Sequence, residues 1–221
     1  MLRGGRWFRG ADEAFQELLL GAAALRTLKD GERLFSRGDP PSGLFAVLDG
    51  RIRITASQES GKEALLTVTE PPGWFGEIAV FDGLQRTHDA IADAESLVLH
   101  VPHEPLLKIL AEHPKYWREL GVLVSGKLRL ALAAMEDMVV LPIGSRIARR
   151  LVMMAEGYGE WHDRKGRVVE LPQEQLAMMV SASRQTVNQH LKDFEAKGLI
   201  RVAYGEIEIV DLDGLKREAE R

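Results

Sequence analysis

The sequence contains no cysteine. This absence excludes disulfide bonds, cysteine-ligated zinc, thiolate-held iron–sulfur clusters and a catalytic thiol. The sequence also lacks any apolar run close to the ~20 residues that span a bilayer, and its N-terminus lacks the apolar segment of a signal peptide. With 221 residues, the chain is long enough for one large domain or two modest ones. We therefore expect a cytoplasmic protein with no membrane partner.

Charge is unevenly distributed along the chain, whose net charge is −4 at pH 7. From Met1 to Leu141 there are 16 basic and 20 acidic residues, whereas from Pro142 to Tyr204 there are 10 basic and 7 acidic residues. The later stretch therefore carries a net positive charge, which favours contact with phosphate groups. A nucleic-acid partner is expected to bind there.

Short strands separated by glycine turns are predicted from Gly31 to Val101. The apolar run Leu44–Leu48 predicts a buried strand, and Asp49-Gly50 after it is typical of a hairpin turn. Residues Arg51–Thr55 then alternate polar with apolar side chains, which is the pattern of a half-buried strand. Further strands are predicted at Ala64–Val68, Ala90–Ala92 and Ser96–Val101. Many short strands of this kind indicate an antiparallel sandwich or roll.

A long helix is predicted from Trp117 to Met138, where apolar or small residues recur at alternating intervals of four and three. These residues are Trp117, Gly121, Val124, Leu128, Ala131, Met135 and Met138. A helix with this heptad seam can pair along its length with another helix, so we expect a homodimer. The alternative is a single helix packed on its own β-domain. Pro142 ends the pattern and suits the first turn of a new helix.

Two short amphipathic helices, joined by a tight turn at Ser181-Ala182-Ser183, are predicted between Leu171 and Ile200. The first helix has an inward face, formed by Leu176, Ala177 and Val180. In the second helix Val187, Leu191 and Phe194 recur at intervals of four and three, the spacing of a buried stripe. Ser183 is suited to cap the second helix with its hydroxyl group. A wing-like hairpin is predicted after it, from Ile200 to Val210, turning near Tyr204-Gly205.

The outward face of the second helix carries long side chains rich in hydrogen-bond donors and almost no acidic residues. The candidate DNA contacts on this helix and its cap are Ser183, Arg184, Gln185, Thr186, Asn188, Gln189 and Lys192. Arginine, glutamine and asparagine can each make paired hydrogen bonds to base edges in the major groove. We assign Arg184, Gln185 and Gln189 to bases, and Ser183, Thr186 and Lys192 to phosphates. The alternative is a pair of packed helices with a solvated polar face.

Three stretches, taken in this order, resemble the Crp/Fnr family of bacterial transcription regulators. They are GERLFSRGDPPSGLFAVLDGRIRI (Gly31 to Ile54), FGEIAVFDGLQRT (Phe75 to Thr87) and VSASRQTVNQHLKDFEAKGLI (Val180 to Ile200). The resemblance implies an α+β fold: an antiparallel β-roll (a double-stranded β-helix or jelly roll), then a dimerisation helix and a winged helix-turn-helix. We expect residues 1–115 to form the sensor domain, residues 116–141 to form the dimerisation helix and residues 142–221 to form the DNA-binding domain. A homodimer on double-stranded DNA with an inverted-repeat operator is then expected, with RNA polymerase as a further candidate partner.

The second of these stretches resembles the family's phosphate-binding cassette. In the cyclic-nucleotide-binding relatives, the cassette's glycine and glutamate hold the sugar and backbone, while an arginine and a serine or threonine bind the cyclic phosphate. Those roles fall on Gly76, Glu77, Arg86 and Thr87. The full set of candidate effector-binding residues is Gly76, Glu77, Ile78, Arg86, Thr87, His88, Leu128, Ala131 and Leu132. The alternative is that Glu77 and Arg86 pair with each other across an empty pocket.

The chain departs from the nucleotide-binding pattern in three ways. His88 stands where those relatives usually have a small residue, and Ala131 and Leu132 align with positions that offer hydroxyl groups to adenine. The segment between Glu77 and Arg86 also looks one residue shorter. Three alternatives therefore stay open: the effector is cAMP, it is another small molecule, or the protein has no effector.

Other kinds of cofactor and other classes of protein find less support in the sequence. Haem would need an axial ligand from His88, His100, His103 or His113, and no second ligand accompanies any of them. No metal-ligand spacing and no catalytic residues are recognised, so a metal-dependent cupin-like enzyme is not expected. A cyclic-nucleotide-binding protein that controls a partner enzyme is the alternative function, but such a protein has no reason to carry a winged helix-turn-helix.

Overall fold

A computed structural model of the chain describes residues 2–57, 63–159 and 168–221. The chain divides into two compact units, Met1–Leu128 and Arg129–Arg221. The division falls inside a single 24-residue helix, Trp117–Val140. Among the described residues, no helix is both long and apolar enough to cross a membrane.

The first unit combines helices with short strands. In chain order these are α1 (Arg6–Gly10), α2 (Glu13–Ala22), β1 (Ala24–Leu28), β2 (Arg33–Phe35), β3 (Gly43–Asp49), β4 (Ile52–Ser57), β5 (Glu63–Thr69), β6 (Trp74–Phe75), α3 (Glu77–Asp82), β7 (Asp89–Ala92), β8 (Ser96–Pro102), α4 (His103–Glu112) and the first half of α5 (Trp117–Val140). The strands form two four-stranded sheets, with the orders β1-β8-β3-β6 and β2-β7-β4-β5. Every pairing is antiparallel. The predicted antiparallel roll is confirmed.

The core of the roll lies between the two sheets. Phe45, Val47 and Val98 of the first sheet pack with Ile52 and Ala90 of the second, and all five are at most 1% exposed. A second core covers the opposite face of the first sheet with α1, α2, α4 and α5. Its fully buried side chains include Phe8, Phe15, Leu19, Leu44, Leu106, Leu110 and Leu120. Because β3 is buried on both faces, its residues Leu44–Leu48 are continuously apolar and do not alternate with polar ones.

The expected hairpin at Asp49-Gly50 is wrong. The turn exists, and Gly50 adopts the left-handed φ of 73°. However, β3 pairs with β8 and β6, while β4 pairs with β5 and β7, so the turn is a corner between the two sheets. Both edges of β3 are already occupied by other strands. The Ser96 hydroxyl holds the corner, because it accepts from the Arg51 N–H at 3.0 Å and donates to the Arg51 carbonyl oxygen at 3.1 Å.

The clean alternation predicted for Arg51–Thr55 is also wrong in its second half. Ile52 is fully buried as expected, but Thr55 is 1% exposed and Ile54 is only half-buried. The pairing of β4 with β5 shifts register between Ile54 and Thr55. The extra residue is Leu66 of β5, since Ile54 pairs with Thr67 and Thr55 pairs with Leu65. The added local twist of a bulge accompanies the change in which β4 side chains are buried.

The second unit contains the C-terminal half of α5 and a small winged domain. Its elements are α6 (Ile143–Ala155), β9 (Val168–Glu170), α7 (Gln173–Met179), α8 (Arg184–Ala196), β10 (Ile200–Ala203), β11 (Glu206–Ile209) and α9 (Leu212–Ala219). The strands form one antiparallel sheet in the order β10-β11-β9. The predicted hairpin is therefore confirmed, and Gly205 supplies its turn with a φ of 74°. The third strand, β9, was not predicted.

Candidate DNA-reading surface and effector site

The turn between α7 and α8 is held by local hydrogen bonds. The chain leaves α7 at Met179, and Ser181 adopts an unusual positive φ of 52°. Ser183 then caps α8, because its hydroxyl accepts from the backbone N–H of Thr186 at 3.0 Å. This cap is the one predicted from the sequence, and it satisfies one of the free N–H groups at the start of the helix.

The inner face of α8 is packed against the rest of the winged domain. Val187, Leu191 and Phe194 are 0%, 1% and 3% exposed, which confirms the predicted buried stripe. In α7, Leu176 and Ala177 are buried as well. The two helices are therefore fixed by their apolar sides, and the opposite side of α8 is free to meet a partner.

The outer face of α8 presents the predicted donor-rich side chains. Arg184, Gln185, Gln189 and Lys192 are exposed, while Thr186 and Asn188 are half-buried. The helix thus brings these residues together on one surface, as their spacing requires. The exposed residues of this surface also include one acidic neighbour that the sequence did not single out: the Oδ1 atom of Asp193 accepts from the Nε2 atom of Gln189 at 3.2 Å.

The cassette predicted from Phe75 to Thr87 forms a tight turn followed by α3. Gly76 precedes α3 with a φ of 95°, which favours glycine. A Cβ atom at this position would lie 2.8 Å from Nη1 of Arg86 and 2.9 Å from the carbonyl oxygen of Gly43. Glycine is therefore required here both by the backbone conformation and by the close approach of Arg86.

Arg86 is a buried polar side chain of the cassette with several hydrogen bonds. It is 4% exposed, and its Nη1 atom donates to the Gly76 carbonyl oxygen at 2.8 Å. Its Nη2 atom donates to the Ser42 hydroxyl at 2.9 Å and to the Gly43 carbonyl oxygen at 2.7 Å. The guanidinium also lies over the ring of Phe35, 4.2 Å from its centroid. These contacts join the cassette to the start of β3.

The electrostatics of Arg86 reflect this burial. Burial lowers the pKa of Arg86 to about 10, while the carboxylates of Glu77 and Asp39 oppose the shift. Arg86 therefore stays cationic at neutral pH. Its Nε atom is buried with no hydrogen-bond partner. A buried donor of this kind suits an acceptor supplied by a bound anion, so the residues present fit a phosphate-bearing ligand.

The alternative in which Glu77 pairs with Arg86 is wrong. Glu77 is 2% exposed, and its Oε2 atom lies 2.8 Å from Nζ of Lys127, on α5. Arg86 instead donates to two backbone carbonyls and a hydroxyl. Lys127 was missed by the sequence reasoning. It lies 50 residues from Glu77, and nothing in the local sequence indicates that the two meet.

The remaining candidate residues of the first unit flank this arrangement. Thr87 is exposed, and its hydroxyl lies 2.9 Å from Nδ1 of the half-buried His88. Burial lowers the pKa of His88, Arg37 lowers it further, and Asp89 opposes the shift. Ile78 is exposed on α3. Among the residues that the structure covers, no group of three or more His, Cys, Asp or Glu side chains could hold a metal ion.

The predicted long helix is confirmed as α5, and its two halves differ in burial. Leu120 and Leu123 are buried, whereas Leu128 is 56% exposed, Met135 64% and Met138 49%. Ala131 and Leu132 are exposed as well. Of the seven seam residues, Trp117, Gly121 and Val124 are half-buried and the other four are exposed. The later part of the helix therefore presents a continuous apolar stripe that the described residues of the chain leave exposed.

Comparison with known proteins identifies similar domains in both parts of the chain. Residues 25–113 match the cyclic nucleotide-binding domain, and residues 145–218 match the Crp-like helix-turn-helix domain. The chain is 30% identical, over 86% of its own length and 85% of the relative's, to a CRP-like cAMP-activated global transcriptional regulator of Mycobacterium tuberculosis. It is 32% identical, over 82% of its length and 86% of the relative's, to the transcriptional regulator SdrP of Thermus thermophilus.

A solved structure of similar fold supports the same grouping. A CRP/FNR-family transcriptional regulator from Thermus thermophilus superposes with a TM-score of 0.71 at 28% identity. The match covers 90% of this chain and 99% of that one. The similarity therefore extends across the roll, the long helix and the winged domain.

Proposed function

The chain belongs to the Crp/Fnr family of DNA-binding transcription regulators, and we propose that it acts as a homodimer that reads an inverted-repeat operator with α8 of each copy. The observation that carries the proposal is the outer face of α8, where Arg184, Gln185, Gln189 and Lys192 are exposed while the inner face is fully packed. A rigid helix with donors on its free side has the form that major-groove reading requires. The alternative role, control of a partner enzyme, would leave this surface without a use.

The dimer is supported by the apolar stripe of α5. Leucine and methionine side chains at heptad spacing are costly to leave in water, and a second copy of the same helix would cover them. Dimers of this kind place their two reading helices about 34 Å apart, one turn of duplex DNA. Two-fold symmetry in the protein then requires two-fold symmetry in the operator.

The roles of the individual residues follow from their chemistry. Arg184, Gln185 and Gln189 can make directional hydrogen bonds to base edges, so we assign them to sequence reading. Ser183, Thr186 and Lys192 are assigned to phosphates, which position the helix without selecting a sequence. Asn188 lies on the same face and completes the surface. We assign no catalytic residues, and the relatives named above are themselves transcription regulators.

Replacing Gln185 with alanine is expected to relax the base preference at one operator position by about 1–3 kcal/mol. A phosphate contact would behave differently, because its loss weakens binding to all sequences and lowers the salt dependence. Lys192→Ala is the matched variant for that second behaviour. Binding to a library of single-base operator variants measures both. Equal weakening on every sequence by Gln185→Ala would contradict its assignment to a base.

For the first unit we propose a small anionic effector at the cassette, held by Gly76, Glu77, Arg86 and Thr87. The buried cation of Arg86, its unpartnered Nε atom and the exposed Thr87 hydroxyl support an anion there. Ile78, His88 and Leu128 would border the ligand. Ala131 and Leu132, one turn further along α5, remain predicted contacts. One relative is named as cAMP-activated, so cAMP is the first molecule to test.

If cAMP is the effector, calorimetry should give micromolar binding to the unmodified protein and no binding to Arg86→Ala. Because Arg86 also holds the cassette together, the thermal stability of each variant must be measured alongside. Thr87→Val is a second variant, which replaces the hydroxyl with a methyl group of similar size, and it should weaken binding while preserving stability. Absence of binding to the unmodified protein would exclude cAMP and leave the DNA-binding proposal untouched.

We further propose that the protein works in the bacterial cytoplasm, where it meets its operator. RNA polymerase is the partner through which binding would alter transcription.

A salt-dependent gel shift with promoter fragments tests the DNA interaction itself. Stable complexes that weaken as salt rises are expected, because phosphate contacts release counterions.

A further inference from the structure

We propose that Asp193 sets the base preference of Gln189 by fixing the orientation of its side-chain amide, so that Gln189 selects a base with an exocyclic amino group. The inference rests on the proposed role of Gln189 as a base contact. It adds Asp193 as a positioning residue for specificity, although Asp193 itself contacts no base.

The two side chains lie one helical turn apart on α8. The Nε2 atom of Gln189 is 3.2 Å from the Oδ1 atom of Asp193, and both residues are exposed. Residues at i and i+4 face the same side of a helix, and glutamine–aspartate pairs at this spacing stabilise each other. The contact therefore needs no partner molecule to form and is present before DNA arrives.

The chemistry of the pair favours one orientation of the Gln189 amide. The glutamine amide has a donor end and an acceptor end, and a half-turn about its last bond exchanges them. An ionised carboxylate can only accept hydrogen bonds. If the Gln189 amide turned over, its Oε1 atom would face the Asp193 carboxylate, and the hydrogen bond would become a repulsion. Asp193 therefore keeps Nε2 on its own side and leaves Oε1 directed away from it.

An amide fixed in this way has one of its two Nε2 hydrogens engaged by Asp193, so its free Oε1 atom is the group best placed to meet a base. In the major groove, adenine N6 and cytosine N4 carry amino groups that can donate to it. Guanine O6 and thymine O4 are acceptors and would meet Oε1 as oxygen against oxygen. A glutamine that is free to turn over can satisfy both kinds of base and discriminates poorly between them. The fixed Gln189 is therefore expected to prefer an amino-bearing base.

The same carboxylate should weaken overall affinity. Asp193 brings a negative charge to a helix face that is proposed to approach phosphates, and this opposes binding to every sequence. Its removal should then raise affinity and lower selectivity together. This combination separates an orienting role from a simple structural one, which would lower affinity when the residue is lost.

The test uses the full-length protein and duplexes that differ at the operator position read by Gln189. That position is identified as the one whose preference is lost in Gln189→Ala. We expect the unmodified protein to favour amino over keto bases there by about tenfold. Asp193→Asn should reduce this ratio to about threefold or less, because asparagine is the same size but can either accept or donate, so Gln189 can turn over. Asp193→Glu, which again only accepts, should restore most of the preference.

Glu220→Gln is the charge-matched control, since it removes an exposed carboxylate that lies outside α8. It should leave the amino-to-keto ratio unchanged. An unchanged tenfold ratio in Asp193→Asn, or a preference of the unmodified protein for keto bases, would overturn the inference. If Gln189→Ala alters no position at all, the assignment of Gln189 to a base fails instead, and that result is distinct from failure of the Asp193 proposal.

Discussion

A Met135→Glu substitution is expected to make the protein monomeric and to lower its affinity for a two-half-site DNA by at least about 100-fold. Met135 is 64% exposed on α5 and belongs to the stripe that includes Leu128 and Met138. A carboxylate in the middle of a helix–helix seam would be buried next to its own symmetry mate, which is strongly unfavourable. Without the seam, each winged domain binds alone, and the gain from tethering two half-sites is lost.

Ala133→Glu is the matched control for this prediction. Ala133 lies on the same helix, is exposed and falls outside the heptad seam. A glutamate at this position therefore introduces the same charge without contacting the apolar stripe. Sedimentation or light scattering gives the mass, and DNA titration gives the affinity. If Met135→Glu stays dimeric with full affinity, the apolar stripe of α5 is not the dimer interface.

A Leu191→Ala substitution is expected to destabilise the winged domain by roughly 2–5 kcal/mol. Leu191 is 1% exposed on the inner face of α8. Alanine would leave a cavity between this helix and the rest of the domain. The loss of stability would include the free energy of burying the removed carbon atoms and the cost of the cavity. Denaturant unfolding without DNA measures the change directly.

The adjacent residue provides the control for Leu191→Ala. Lys192 is exposed on the outer face, so Lys192→Ala should leave the free energy of unfolding nearly unchanged. It should instead reduce the steepness with which the logarithm of DNA affinity falls against the logarithm of salt concentration, by about 1, which corresponds to one lost phosphate contact. Equal stability of the two variants would contradict the assignment of inner and outer faces.

The winged domain could be predicted from sequence because its signals are local. The spacing of Val187, Leu191 and Phe194 defines the buried side of α8, and Ser183 stands at its cap. Both features depend on residues within a few positions of each other, and both are present in the structure. The strand β9 was missed because its three residues give too little alternation to recognise.

The β-roll shows where local patterns stop being sufficient. Most of its strands were predicted, but short strands such as β6, with two residues, were not. The pairing partners could not be predicted either, because Asp49-Gly50 serves equally well as a hairpin or as a corner between sheets. The choice is made by distant strands that occupy both edges of β3.

The cassette was predicted by resemblance, but the contacts of its residues were not. Arg86 reaches the Ser42 hydroxyl and the Gly43 carbonyl oxygen, more than 40 residues away in sequence, and Glu77 reaches Lys127. These pairs arise only when the sheets and α5 have assembled. Sequence reasoning can supply the chemical groups of such a site, but the partners of each group depend on tertiary packing.

Selection of binding sequences from a random pool of duplexes tests the central proposal most directly. The purified full-length protein should enrich a two-fold symmetric motif whose half-site centres lie about 10 base pairs apart, in the presence of cAMP, in its absence, or in both. Met135→Glu protein, tested in parallel, should lose the paired motif. Enrichment of a single asymmetric half-site by the unmodified protein, or of no sequence under either condition, would contradict the account.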